Sequence, residues 1–262
     1  MKALSVSTAL LGAASAKSVL HDSPQHIFSN PPVHDESYRI PSVSESAAMA
    51  RKIMHLTTIG DLITVFPGAS HNEVGEQENR PQDIAGSPIG LMEYYADCDP
   101  LSGNPILLAI DIATPYRNYN QGSNISLGIR WWPDRKNTYS FWASEDDEEI
   151  PTPHTPAALP RFSLHGHLER VSDERLKDGK IKECFLRAHP DSKYWQPGNE
   201  VSHASHYVQL VVDHVYWFGG FGDRARIEWL PIEEWRNKTM EEVSKAKLPG
   251  EKKSKSWWKE WL

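Results

Sequence analysis

The sequence predicts a mainly β fold with flanking helices (α+β), and three observations carry that prediction. Ten Trp, nine Tyr and seven Phe among 262 residues lie mostly beside β-branched residues, the composition that fits a pleated, half-buried surface. Several stretches of strand length alternate, most clearly residues 207–218, where Val208, Leu210, Val212, His214, Tyr216 and Phe218 share one face. Helix-capping signals stand towards the ends of the strand-rich part, at Ser42 with Glu45, at Ser172, and at Thr239 with Glu242. A composition of 39% hydrophobic and 24% charged residues is ordinary for a globular chain. The formal charge of −7 argues against nucleic acid as a partner, since phosphate neutralisation needs Lys and Arg in excess.

Residues 1–16 hold Lys2, a modestly apolar run and Ala14-Ser15-Ala16, which predicts a signal peptide cleaved before Lys17. Residues 17–41 have no apolar period and read as an extended arm. The domain is expected over 42–248. Its first helix, over 44–55, follows the Ser42/Glu45 capping box and places Val43, Ala47, Ala50 and Met54 at helical spacing. A strand over 61–66 is stopped by Pro67-Gly68, and a polar loop over 69–88 has the length of active-site lids. Strands over 89–97 and 106–112 read as a hairpin about the turn at 99–104. Thr114-Pro115-Tyr116-Arg117 leads into an Asn- and Gly-rich turn, followed by a strand over 125–132 and a short edge over 139–143.

Five consecutive acids, Glu145 to Glu149, and the prolines after them predict a solvated loop, because like charges repel and proline removes ladder donors. Alternation returns over 162–171, and one helical stretch is expected from the Ser172 cap to about residue 187. After the strand over 207–218, Gly219 and Gly220 are read as a break that exploits positive φ. Alternation resumes over 224–229, Pro231 with Glu233 and Glu234 opens a helix, and Thr239 with Glu242 caps the last one. The basic tail over 249–262 carries Trp257, Trp258 and Trp261. It is expected to dock on its own domain; the alternative is a membrane surface, in which one short segment buries little area.

Asn124-Ile125-Ser126 and Asn237-Lys238-Thr239 are acceptors for N-glycosylation, so Asn124 and Asn237 support a secretory route. The expected destination is extracellular or the vacuolar or lysosomal lumen. Cys98 and Cys184 are either joined in one disulfide or separately buried. No G-x-S-x-G elbow is present, and Gly220-Phe221-Gly222 lacks the third glycine of a dinucleotide fingerprint, so no catalytic residues are assigned. His165-Gly166-His167 puts two imidazoles on one strand face, with His203 and His206 as a second pair. Without an acidic or thiolate partner in register, exposed or hydrogen-bonded histidines are expected rather than a metal site. Thr114 and Arg117 are the one place where a phosphate would find a hydroxyl, a cation and turn amides together.

The order of several pieces resembles the CREG family of secreted glycoproteins: Ala50-Arg51-Lys52-Ile53-Met54-His55, then Gly60-Asp61-Leu62-Ile63-Thr64, then Arg161-Phe162-Ser163-Leu164-His165-Gly166-His167-Leu168, then Phe185-Leu186-Arg187-Ala188-His189-Pro190, and Tyr216-Trp217-Phe218-Gly219-Gly220-Phe221. The resemblance implies a six-stranded split β-barrel of the pyridoxamine 5′-phosphate oxidase-like superfamily, usually a homodimer, whose flavin-binding members hold FMN at the dimer interface. CREG-type members are understood to lack flavin and oxidase activity. Thr114 and Arg117 stand where flavin-binding relatives contact the phosphate, but Pro105-Ile106-Leu107-Leu108-Ala109 replaces the basic strand entry of the oxidases. The expected function is that of a non-catalytic secreted or vacuolar glycoprotein that binds a protein or glycan partner. The rival expectation is an FMN-dependent oxidoreductase, in which Thr114 and Arg117 would anchor the cofactor.

Overall fold

The computed structural model describes residues 39–68, 80–133, 156–199, 203–222 and 225–251. The expected signal peptide, most of the arm, the edge strand over 139–143, the acidic run and the tail tryptophans lie outside the described residues. Helix α1 (Val43–Leu56) opens the domain on a complete capping box: Ser42 Oγ accepts from Glu45 N–H, and the Glu45 carboxylate accepts from Ser42 N–H at 2.8 Å. Seven strands follow, β1 (Ile59–Val65), β2 (Pro88–Ala96), β3 (Ile106–Ile110), β4 (Ile125–Arg130), β5 (Arg161–Arg170), β6 (Ser205–Phe218) and β7 (Ile227–Leu230). They pair antiparallel in the order β3-β2-β1-β4-β5-β6-β7, and an additional β3–β6 pairing closes the first six into a barrel. Helix α2 (Thr114–Asn120) lies between β3 and β4, α3 (Asp173–Leu176) and α4 (Lys180–Ala188) between β5 and β6, and α5 (Ile232–Arg236) and α6 (Met240–Lys245) after β7.

Strand β6 does not keep the single apolar face that its alternation predicts. Val208, Leu210 and Val212 enter the main core, but so do Val215 and Trp217, which are out of phase with them. The register explains the change: Gly166 of β5 faces Val212 while His165 faces His214, so Asp213 is an extra residue on β6, a β-bulge. The bulge flips the inward face from even to odd positions. Gly166 permits it, because a Cβ there would lie 1.8 Å from the Val211 carbonyl oxygen. Neither Gly219 nor Gly220 has positive φ; that conformation falls at Gly222, at +63°. Gly219 is required for space instead, since an added Cβ would sit 2.7 Å from the Trp217 indole nitrogen.

The β2–β3 pairing is short, Tyr95 with Leu107 and Ala96 with Ile106, whereas β3 pairs with β6 along its whole length. The expected hairpin is therefore mostly open, and this opening is the split of the barrel. The helical stretch after Ser172 is two helices, not one, because Gly179 at φ +73° separates α3 from α4. Helix α4 covers a second core of Ile106, Leu108, Val171, Ile181, Phe185 and Tyr207 on the outside of the barrel. Cys184 of α4 is joined to Cys98 just after β2, across a sequence separation of 86.

Helix α1 buries Arg51 and Lys52 along with its apolar residues, because α5 and α6 cover the side turned away from the barrel. Arg51 donates to the carbonyl oxygens of Trp235, at 2.7 Å, and Pro100, and stacks on the Trp235 ring. Trp235 in turn donates to Gly103 O at 3.1 Å. Lys52 donates to Ala246 O at 2.6 Å and pairs with Glu251 at 2.7 Å.

Gly166→Ala should lower stability by about 1–3 kcal/mol or more, the cost of overpacking against a backbone that cannot retreat, read as a fall in the denaturation midpoint with β5 and β6 amides losing exchange protection. Cys98→Ser with Cys184→Ser should cost about 2–4 kcal/mol, and an unchanged melting temperature under reducing conditions would contradict a stapling role for this bond.

Candidate functional site

The split in the barrel is bounded by β2 and by α2, which packs on β1 and β2. The turn expected after Arg117 is a helix: Ala113 is its N-cap, Pro115 occupies its first turn, and Arg117 N–H bonds to Ala113 O at 3.1 Å. The helix is held from inside, where Asn118 donates to Thr64 Oγ1 at 3.1 Å and Tyr119 Oη accepts from Leu168 N–H at 2.9 Å. Tyr116 points into the main core with its hydroxyl turned towards a carboxylate. It faces Glu93, which lies opposite Gly60 on the inward side of β2. Burial pushes the Glu93 carboxyl above its ordinary value, and burial followed by the Glu93 charge raises the Tyr116 phenol well above its own.

Thr114 and Arg117 sit on this helix, both half-buried. As a cradle for the phosphate of a flavin nucleotide the surroundings are poor. Arg117 is already engaged within the protein, Pro115 removes one backbone donor from the first turn, and Asp111, just before the helix, carries a carboxylate held by His206 at 3.0 Å. With Arg117 engaged and the Asp111 carboxylate standing just before the helix, this turn does not fit a phosphate of about two negative charges.

The histidine pairs are not assembled into one site. His167 bridges Asp213 at 3.0 Å and Glu169 at 3.3 Å, and the Asp213 hydrogen bond, then that of Glu169, raises its pKa. His165 lies against Trp229 with ring centroids 5.3 Å apart, and burial followed by the nearby His214 lowers its pKa. His206 pairs with Asp111, and His203 is exposed. Among the described residues no group of three His, Cys, Asp or Glu side chains is arranged to hold a metal ion. Asn124 and Asn237, the sequon asparagines, are both exposed.

Sequence reasoning missed the exposed apolar surface around the split. Met92 is 60% exposed, Ile59 52% and Leu91 43%. Met92 and Ile59 share the outer face of β1 and β2, where Met92 lies opposite Asp61, and Leu91 is on the inner face of β2, opposite Leu62. The run Ile89-Gly90-Leu91-Met92 reads as an ordinary buried strand. Only the folded chain reveals that neither face of it is fully covered, since Leu91 and Met92 are exposed on opposite sides.

A family model described as CREG, beta-barrel matches residues 41–237. No curated protein matches the chain. Among solved structures, the chain is similar to a heme binding protein from Mycobacterium smegmatis at 22% identity and a TM-score of 0.48, covering 76% of this chain and 61% of that one. It is also similar to a protein related to general stress protein 26, of the pyridoxinephosphate oxidase family, from Clostridium acetobutylicum, at 10% identity and a TM-score of 0.42, covering 73% and 98%. A FAD-binding protein from Mesorhizobium loti aligns at 10% identity and a TM-score of 0.36, covering 63% and 87%.

The raised pKa of Glu93 sets a pH dependence. Its contribution to stability is fully present below the carboxyl's unfolded value and is lost as pH rises through the folded one. Glu93→Gln should therefore be more stable than the parent at neutral pH, with a gap that closes towards pH 4, followed by thermal melts across that range. Parallel pH profiles for the two proteins would refute the assignment.

Proposed function

The chain belongs to the CREG β-barrel family, and from that premise we propose that it is a non-catalytic glycoprotein of the secretory route that acts by binding a partner, first of all a second copy of itself. The observation that carries this reading is the exposed apolar surface on the outer face of β1 and β2, where Ile59 and Met92 line one hollow with the exposed Trp132, since a contiguous exposed apolar patch marks an interaction site. A homodimer would cover it by the same patch on both copies. The secretory route is supported by the Cys98–Cys184 disulfide, a bond that persists in oxidising compartments, and by the exposure of both sequon asparagines. The non-catalytic part is supported by the α2 environment, where Asp111 and the engagement of Arg117 work against a flavin phosphate.

The test uses the full-length chain expressed through a eukaryotic secretory pathway. Light scattering should give a dimer mass for the parent and a monomer mass for Met92→Glu; a parent that is monomeric at micromolar concentration removes the dimer. Incubation with excess FMN followed by desalting should leave no flavin absorbance. Stoichiometric retention would overturn the non-catalytic reading, and Arg117→Ala would then be expected to weaken it by about 1.5–3 kcal/mol, the worth of a charge-assisted contact. Glycosidase treatment should lower the mass of the parent but not that of the double variant Asn124→Gln, Asn237→Gln.

A further inference from the structure

A cleft of about 510 Å³ lies on the outer face of β4, β5 and β6, within the usual size range of a small-molecule site. Arg161, at the start of β5, lies in it with the guanidinium 3.9 Å from the centroid of the Phe218 ring, and its hydrogen bonds go to the carbonyl oxygens of Ala157 and Leu159 at 3.2 and 3.4 Å. Among the described residues no carboxylate pairs with it, and partial burial lowers its pKa. A half-buried guanidinium without a counter-ion is an anion receptor in waiting. Along the same cleft, Arg130 pairs with Asp61, placing a donor and an acceptor side by side, and Trp132 presents a ring that is 52% exposed. Tyr216 adds a hydroxyl-bearing ring to the lining.

We propose that this cleft binds an acidic sugar, a uronic acid unit of a glycan. Its carboxylate would accept the two-pronged hydrogen bonds of Arg161, its apolar ring face would stack on Trp132, and its vicinal hydroxyls would exchange hydrogen bonds with Asp61 and Arg130. The charge count selects this class: among the described lining residues two arginines and one aspartate leave one net positive charge, enough for one carboxylate and too little for a polyphosphate. An acidic peptide would satisfy Arg161 but has neither the flat saturated ring nor the hydroxyl pair that the rest of the lining would recognise. The site is separate from the α2 helix and requires no flavin, and it names a ligand class that the family assignment does not supply.

The probes are a tetrasaccharide of alternating glucuronic acid and N-acetylglucosamine, its carboxyl-reduced counterpart, and a penta-glutamate peptide, each titrated into the full-length protein by calorimetry and tryptophan fluorescence. The acidic tetrasaccharide should bind at least tenfold more tightly than the reduced one. Arg161→Gln should abolish that preference while melting as a folded protein, and Trp132→Ala should weaken both sugars alike. Arg161→Lys, which keeps the charge but loses the planar fork, should retain only part of the preference. No binding of the tetrasaccharide by the parent, equal binding of the acidic and reduced forms, or an undiminished preference in Arg161→Gln would each overturn the proposal. Equal competition by the penta-glutamate peptide would do so too, by showing that the cleft reads charge alone.

Discussion

Strand β6 has to satisfy its backbone along two edges while changing partner halfway, and the rest of the domain is arranged around how it does so. One edge runs beside β5 for its whole length; the other meets β3 through Ser205 to Gln209 and β7 through Val215 to Phe218. Between these the strand would expose unpaired groups, which burial makes costly. Side chains and loop backbone close the gap: Leu210 N–H bonds to Pro105 O at 3.0 Å, Val212 N–H to the Asn104 side chain at 2.9 Å, and Arg236 donates to Val212 O at 2.8 Å. The Asp213 bulge falls at the same place, so the strand flips its inward face as it passes from the closed barrel to the β7 extension. The barrel core and the packing of α5 thus meet at one irregular stretch of five residues, 210–214.

The same economy explains the charged residues inside α1. A buried cation is costly unless its donors are satisfied, and here the two terminal nitrogens of Arg51 donate to carbonyl oxygens from two segments far apart in sequence, those of Pro100 and Trp235, while Nε has no partner. The contact allows no side chain at Gly103, where a Cβ would lie 2.8 Å from both the Arg51 guanidinium and the Trp235 indole nitrogen. Such a junction adds little net stability over an apolar one, but it accepts only one arrangement of its three segments. Lys52 does the same for the C-terminal segment through Ala246 and Glu251. With α1 fixed in this way, the outer face of the barrel near β1 and β2 is left uncovered, and the apolar surface near the split lies there.

Elements whose signals are local were legible. The capping boxes at Ser42/Glu45 and Thr239/Glu242 form as their spacing requires, the Ser172 cap holds Arg175 N–H, and each described strand longer than four residues overlaps a stretch where strand pattern and turn signals place one. The order of short motifs carried the family, which the match over residues 41–237 shows. Helix α2 was missed because Pro115, Asn118, Asn120 and Gly122 are turn formers; the helix is held by Asn118 and Tyr119 reaching Thr64 and Leu168, contacts with no trace in local composition. Of the candidate site, Thr114 and Arg117 were visible as residue types, while Glu93 behind Tyr116 and the Asp111 carboxylate beside His206 were not, because each pair comes from segments separated in the chain.

The amino-acid order alone therefore decides which stretches become strands and helices and where they stop, since periodicity, caps and glycines act within a few residues of themselves. Which strand edge is left open, which face of β6 turns inward after Asp213, and which arginine lacks a counter-ion among the described residues were settled by folding. Each depends on a partner far away in sequence: β6 closing on β3 in place of β2, Gly166 making room for the Val211 carbonyl, and Phe218 lying beneath Arg161. The segment over 207–235 is where the two kinds of information meet. Its alternation announces a strand, and only its neighbours make that strand the seam of a closed barrel.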